Sequence, residues 1–227
     1  MKKIMTIVFF AVAVFTAVDA QQQSVSIKKS NMPIRLNVYT DYVFDNNIDS
    51  RYDNNNYFTG KINGGFQWGA GLEFILQPEY GIELTYLRQD TKIPLVYLNG
   101  SGSPKRKDFN VGINYIMIGS NRYFGKPGSM VEGFGGLSVG AVVLGIKNPD
   151  AGGSSTKTKF AWDARIGANI WATKRVGIKL QAQLASAIQS ISGGIFIGSG
   201  GSGVGLSSNS TIYQFSLGGG LVFKLTN

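Results

Sequence analysis

Histidine and cysteine are both missing from the 227 residues, and that decides most of what these side chains can do. A serine activated by an imidazole cannot be assembled, and neither can a thiolate nucleophile. The usual zinc ligand sets fail for the same reason, leaving carboxylates alone. The residue types therefore offer no catalytic residue, no cofactor site and no metal centre, and the chain reads as a non-enzyme. What remains is a set of charges on the polar phase of alternating segments: Arg35, Asp41, Glu73, Glu83, Asp163, Arg165, Lys179 and Lys224. Groups so placed either line a conduit or pair with one another as the filling of a narrow interior. Burying an unpaired charge is costly, so structural filling is the reading preferred.

Four other features invite a chemical reading. Residues 198–203 match the GxGxxG string, but they follow no buried strand, open no helical pattern and sit in a Gly/Ser-rich loop, which excludes a nucleotide site. Asp45, Asn47, Asp49 and Asp53 place oxygens at calcium-loop spacing; Ser50 stands where the turn glycine belongs and Asn56 where the bidentate glutamate belongs. A hydrated polar loop fits better. Lys105, Arg106 and Lys107 could meet phosphates of an anionic partner or simply keep their loop solvated. The apolar triplet Ile195, Phe196 and Ile197 is either a contact for a partner or lipid, or the upper end of the seventh strand.

The elements that must hold these residues repeat with period two. The first segment alternates Ile34, Leu36, Val38, Thr40, Tyr42 and Phe44 with Arg35, Asn37, Tyr39 and Asp41. Seven more follow. In the fourth, Phe109, Val111, Ile113, Tyr115 and Met117 form the apolar face, and in the glycine-rich fifth (131–146) the phase is ambiguous. The joints alternate between long and short. The short ones fall at Gln77-Pro78-Glu79, at 125–129 and at Thr173-Lys174-Arg175; the long ones at 45–61, 90–107, 147–158 and 189–210. Long loops gathered at one end, with strands of ten residues or more, describe a barrel that crosses a membrane. Aromatics mark both ends of the apolar faces. Tyr42, Phe44, Phe66, Trp68, Phe160, Trp162, Tyr213 and Phe215 lie toward the long loops, and Phe74, Tyr80, Tyr123, Phe124 and Phe223 toward the short turns. Trp171 falls on the polar phase, and a bulge would be needed to turn it outward. The expected fold is all-β: an eight-stranded antiparallel up-and-down transmembrane β-barrel.

Residues 1–20 read as a signal peptide, with Lys2-Lys3 ahead of an apolar stretch and Ala20 before Gln21. A polar lead-in (21–32) precedes the barrel (33–227). Without the leader the chain keeps 20 basic and 12 acidic residues, a net +8. That charge suits anionic headgroups or a solvated surface; export and the lack of long basic runs exclude nucleic acid. Only 15% of residues are charged, 31 are glycine, and mean hydropathy is +0.02. This balance fits alternating lipid-facing and inward-facing positions.

On this pattern, and on the turn Leu76-Gln77-Pro78-Glu79-Tyr80-Gly81-Ile82-Glu83, the chain resembles the small outer-membrane barrels of the OmpA/OmpX type. Among these it looks most like the "outer membrane protein β-barrel domain" (porin family) group common in Bacteroidota. Such barrels often end on an aromatic residue, whereas this chain ends Phe223-Lys224-Leu225-Thr226-Asn227. The resemblance implies an integral protein of the Gram-negative outer membrane; the sequence does not set its oligomeric state, and a monomer is the expectation. Enzymes on similar barrels rely on a catalytic histidine, which this chain lacks. The expected role is structural or surface-interacting through the long loops, with lipid, lipopolysaccharide and other envelope proteins as the expected partners. A narrow channel for water, ions or small solutes is the first alternative, and a soluble lipocalin-like ligand-binding barrel the second.

Overall fold

Alternation of period two lets each strand present one face inward and one outward, and this pattern runs along the computed structural model. It describes residues 32–53, 56–99, 103, 105–125, 128–147, 154–188, 195–199, 202–206 and 212–225. The expected signal peptide (1–20) and all of the expected lead-in but Met32 lie outside the described residues. Eight strands form the barrel: β1 (Ile34–Val43), β4 (Gly65–Gln77), β5 (Tyr80–Asn99), β6 (Lys105–Phe124), β7 (Val131–Lys147), β8 (Ser154–Trp171), β9 (Val176–Ile188) and β12 (Ile212–Lys224). Each pairs antiparallel with the next. β1 then pairs with β12, from Arg35↔Lys224 to Val43↔Ser216, which closes the wall and leaves no edge along the barrel.

The short joints are tight. Pro78 and Glu79 make the β4–β5 turn, where Ile75 and Gln77 straddle a register shift. Gly128, at φ 83°, takes the left-handed conformation in the β6–β7 turn. In the β8–β9 turn the Thr173 hydroxyl accepts from the backbone of Arg175 and Val176 at 3.2 and 2.9 Å. Two of the long joints, 45–61 and 189–210, carry extra strands at the opposite end, whereas most of 90–107 belongs to β5 and β6 themselves. Hairpin β2 (Asn46–Asp53) and β3 (Asn56–Ile62) leans on β5 through Asn56↔Asn99 to Gly60↔Leu95. Hairpin β10 (Ile195–Ser199) and β11 (Ser202–Leu206) pairs on itself. The triplet 195–197 thus belongs to this separate hairpin and is not the top of the seventh barrel strand, β9.

Apolar side chains face outward around the wall: Leu84, Ile118, Leu137, Ile166 and Leu180 are all more than half exposed. Inside, Asn37, Glu73, Glu83, Asn121, Asn169 and Lys179 are fully buried. This is the inverse of a soluble ligand-binding barrel, whose apolar residues line the interior.

The expected facing of the fourth segment is corrected. Phe109, Val111, Ile113, Tyr115 and Met117 of β6 point inward, where they pack with Leu87, Val142, Leu144 and Ile146. Their neighbours Asn110, Gly112 and Asn114 face outward. The reason is strand length. β5 and β6 run 20 residues, against 10 for β1. Twenty residues at about 3.3 Å each, tilted by about 40°, rise roughly 50 Å. That exceeds an apolar layer of about 30 Å. Above such a layer a strand meets water, so its polar face turns out and its apolar face in. The same strand is polar-inside at the bottom, where Asn121 is buried, and apolar-inside at the top.

Candidate functional site

The lower interior holds the densest polar constellation. Register places Glu73 of β4 directly opposite Glu83 of β5, two carboxylates whose charges must be met from the other strands. Glu83 accepts from Asn37 Nδ2 at 2.8 Å, Asn121 Nδ2 at 2.9 Å, Arg165 Nη1 at 3.2 Å and the Tyr39 hydroxyl. Glu73 accepts from the Tyr123 hydroxyl at 2.6 and 2.7 Å and from Asn121 at 2.9 Å. Space for both acids comes from glycines on the facing strand. A Cβ at Gly81 would stand 3.0 Å from the Glu73 carboxyl carbon, and one at Gly71 would run into the Glu83 carboxylate.

Arg165 spans the cavity. It donates to Ser138 Oγ at 2.5 Å and lies 3.5 Å from Asp163. Lys179 makes no ion pair among the described residues; its ammonium sits 4.6 Å from the Phe134 ring centroid and 3.5 Å from the Tyr39 hydroxyl. Cation–π contact there takes the place of a counter-ion.

The remaining sequence-chosen charges fall above and below this cluster. Arg35 forms a bidentate pair with Glu132 (2.8 and 3.2 Å) at the short-turn end, and its guanidinium stacks on Tyr123 and Trp171. Lys224 lies 3.9 Å from the Trp171 ring. Trp171 is therefore an inward residue closing the mouth, and no bulge is required. Tyr123 is likewise buried in the interior rather than part of an outer girdle. Higher up, Asp41 accepts from Gln181 at 3.1 Å, while both Asp163 oxygens lack a hydrogen-bond donor. Arg165 ties Asp163 to the central cluster, so the eight charges form three groups: Arg35 with Lys224 below, Glu73, Glu83, Arg165, Lys179 and Asp163 together, and Asp41 above.

Sequence reading did not pick out Glu132, Asn37, Asn121 or Tyr123. Glu132 stands at the start of the strand whose glycines hide its phase. Tyr123 carried a usable signal, since it shares the polar phase of Asn121.

Outside the barrel, Asp45 accepts from Gly64 N at 2.5 Å and pairs with Lys61, and the two hold its carboxyl below the usual carboxylate range. Asn46–Asp53 form strand β2 rather than the coil a calcium loop requires, and no cluster of three metal-binding side chains occurs among the described residues. Lys105, Arg106 and Lys107 open β6; Arg106 is exposed, 3.7 Å from Asp108. The Gly/Ser string of 198–203 is strand where described, not a phosphate-cradling loop.

Neither a protein-family model nor a curated protein sequence matches the chain. Solved structures do. The outer membrane protein OprG from Pseudomonas aeruginosa aligns at TM-score 0.55 and 10% identity, covering 86% of this chain and 97% of that one. Neisserial surface protein A aligns at 0.51 and 14%, covering 85% and 97%. At these identities the likeness establishes the fold: a closed, eight-stranded antiparallel barrel of the small outer-membrane kind.

Proposed function

We propose that this protein is an integral β-barrel of a Gram-negative outer membrane, exported by its N-terminal signal and acting through its loops and as a structural part of the envelope, without enzymatic activity. The observation that carries this reading is a filled interior. Tyr39, Tyr115, Met117, Phe134, Glu73, Glu83 and Lys179 are fully buried across the lumen, and eight strands enclose little more than the side chains that fill them. The charges in the lower lumen are paired or aromatic-capped, as structural filling demands. The absence of histidine and cysteine supports a non-enzymatic role. Within the small barrels, the turn 76–83 supports the Bacteroidota porin-family group.

The channel reading draws on one observation: Asp163, Gln183 and Thr85 leave buried polar atoms unpartnered in mid-lumen, as a short chain of water would allow. The apolar cluster above and the Arg35–Trp171–Lys224 stack below shut that stretch at both ends. Single-channel recording in planar bilayers separates the two. A folded, heat-modifiable preparation is expected to be electrically silent; reproducible conductance steps would overturn the scaffold reading and make the inner charges selectivity residues.

A further inference from the structure

The outer wall, read row by row across the ladder, is apolar up to one level and then changes character. Tyr86 of β5 pairs with Ile116 of β6, which pairs with Ala141 of β7. One row higher stand Arg88, Asn114 and Val143; above them Asp90, Gly112 and Gly145; above those Lys92, Asn110 and Lys147. All lie on the outward phase. The two glycines leave a floor of bare backbone, where an added Cβ would meet nothing closer than 3.4 Å. The result is a groove of about 510 Å³ on the outside of the barrel.

Its walls are differently committed. Arg88 is held by Asp90 at 2.7 and 3.0 Å and by Asn114 at 3.0 Å, so it shapes the lower edge and has little left to offer. Lys92 and Lys147 flank Asn110 in a single row, and neither ammonium has a partner among the described residues. Three cations against one carboxylate give the lining a net +2. The groove begins beside the Trp68–Tyr86 aromatic pair, and such rings settle at headgroup depth.

We infer that this groove is a binding site for a phosphorylated glycolipid headgroup of the outer leaflet, with Lys92 and Lys147 holding the phosphate and the Gly112–Gly145 floor admitting the sugar. The inference rests on the membrane reading above and names a partner for it. An outward groove just above the apolar band faces headgroups and little else, and two ammonium groups without a partner among the described residues select an anionic one. Lipid and sugar meet opposite edges of the same cleft, the acyl chains descending past Tyr86 and Ile116.

The test uses protein purified from membranes in detergent, freed of lipid and titrated in native mass spectrometry with bisphosphorylated lipid A or the same lipid stripped of phosphate. The phosphorylated form is expected to bind more tightly by on the order of tenfold or more. The K92Q/K147Q double variant should lose that advantage, as should Gly145→Gln, which keeps both charges and fills the floor. Equal binding of the two lipids, or unchanged discrimination in both variants, would overturn the site. Displacement of lipid A by millimolar inorganic phosphate would also overturn it, reassigning the groove to a soluble anion. Carbonate extraction of the same protein is read separately. Release from the membrane defeats the membrane reading itself, whereas retention without phosphate discrimination defeats only the groove.

Discussion

Replacing Arg165 by methionine asks most directly whether buried charges hold this barrel together. The arginine side chain is 2% exposed. It donates to Glu83 at 3.2 Å and Ser138 at 2.5 Å and lies 3.5 Å from Asp163. Methionine keeps much of the length and removes every donor. Glu83 still has Asn37, Asn121 and Tyr39, whereas neither Asp163 oxygen is within hydrogen-bond geometry of a donor among the described residues. Leaving buried carboxylates without their cation costs about 3–5 kcal/mol. With a urea slope of about 2 kcal/mol/M, the unfolding midpoint should fall by roughly 1.5–2.5 M. Adding Glu83→Gln to that variant removes one of the stranded charges, so the pair should be less destabilised than the sum of the singles by about 1–3 kcal/mol. The assay is urea unfolding in lipid vesicles, followed by tryptophan fluorescence and heat-dependent gel mobility. A methionine variant within about 1 kcal/mol of the parent, or strict additivity with Glu83→Gln, would refute the argument that these charges act as coupled filling.

Two further outcomes test the orientation of the wall. In single-tryptophan variants, brominated lipid should quench Trp68, which is 47% exposed on the outer face, and spare Trp171, which is 8% exposed within the mouth; comparable quenching of Trp171 would reverse its assignment. Leu137, 69% exposed in the outward apolar band, should cost about 2–4 kcal/mol when changed to arginine. Asn114→Arg, at the polar edge, should cost about 0–1 kcal/mol in the same unfolding assay; equal costs would mean that no apolar layer surrounds the barrel.

The parts of the fold legible in the sequence are those that depend on local alternation. β1, β4, β9 and β12 keep a single inside-outside phase along their length, so Arg35, Asp41, Glu73 and Lys179 could be placed inside by counting residues in twos. Pro78 and Gly128 marked turns through their backbone chemistry, and Thr173 through its hydroxyl. β6 defeated that reading, because a strand long enough to leave an apolar layer changes the solvent on its outer face, and its pattern inverts part-way. Hydropathy alone then assigns Phe109 to Tyr115 to the wrong side. β7 defeated it differently: six of its positions up to Lys147 are Gly or Ser, too little side chain to show a phase, and so Glu132 went unseen.

Period, strand number, turn positions and the missing histidine and cysteine were determined by the sequence alone, since each is set by a residue and its near neighbours along the chain. Tertiary structure decided which charges meet. Arg35 finds Glu132 97 residues away and Arg165 finds Glu83 82 residues away, and only the closed register brings such strands face to face across the lumen. The outer groove was decided the same way. Lys92, Asn110 and Lys147 come from three strands and share nothing in sequence; two ladders align them in one row, at the height where the wall stops being apolar.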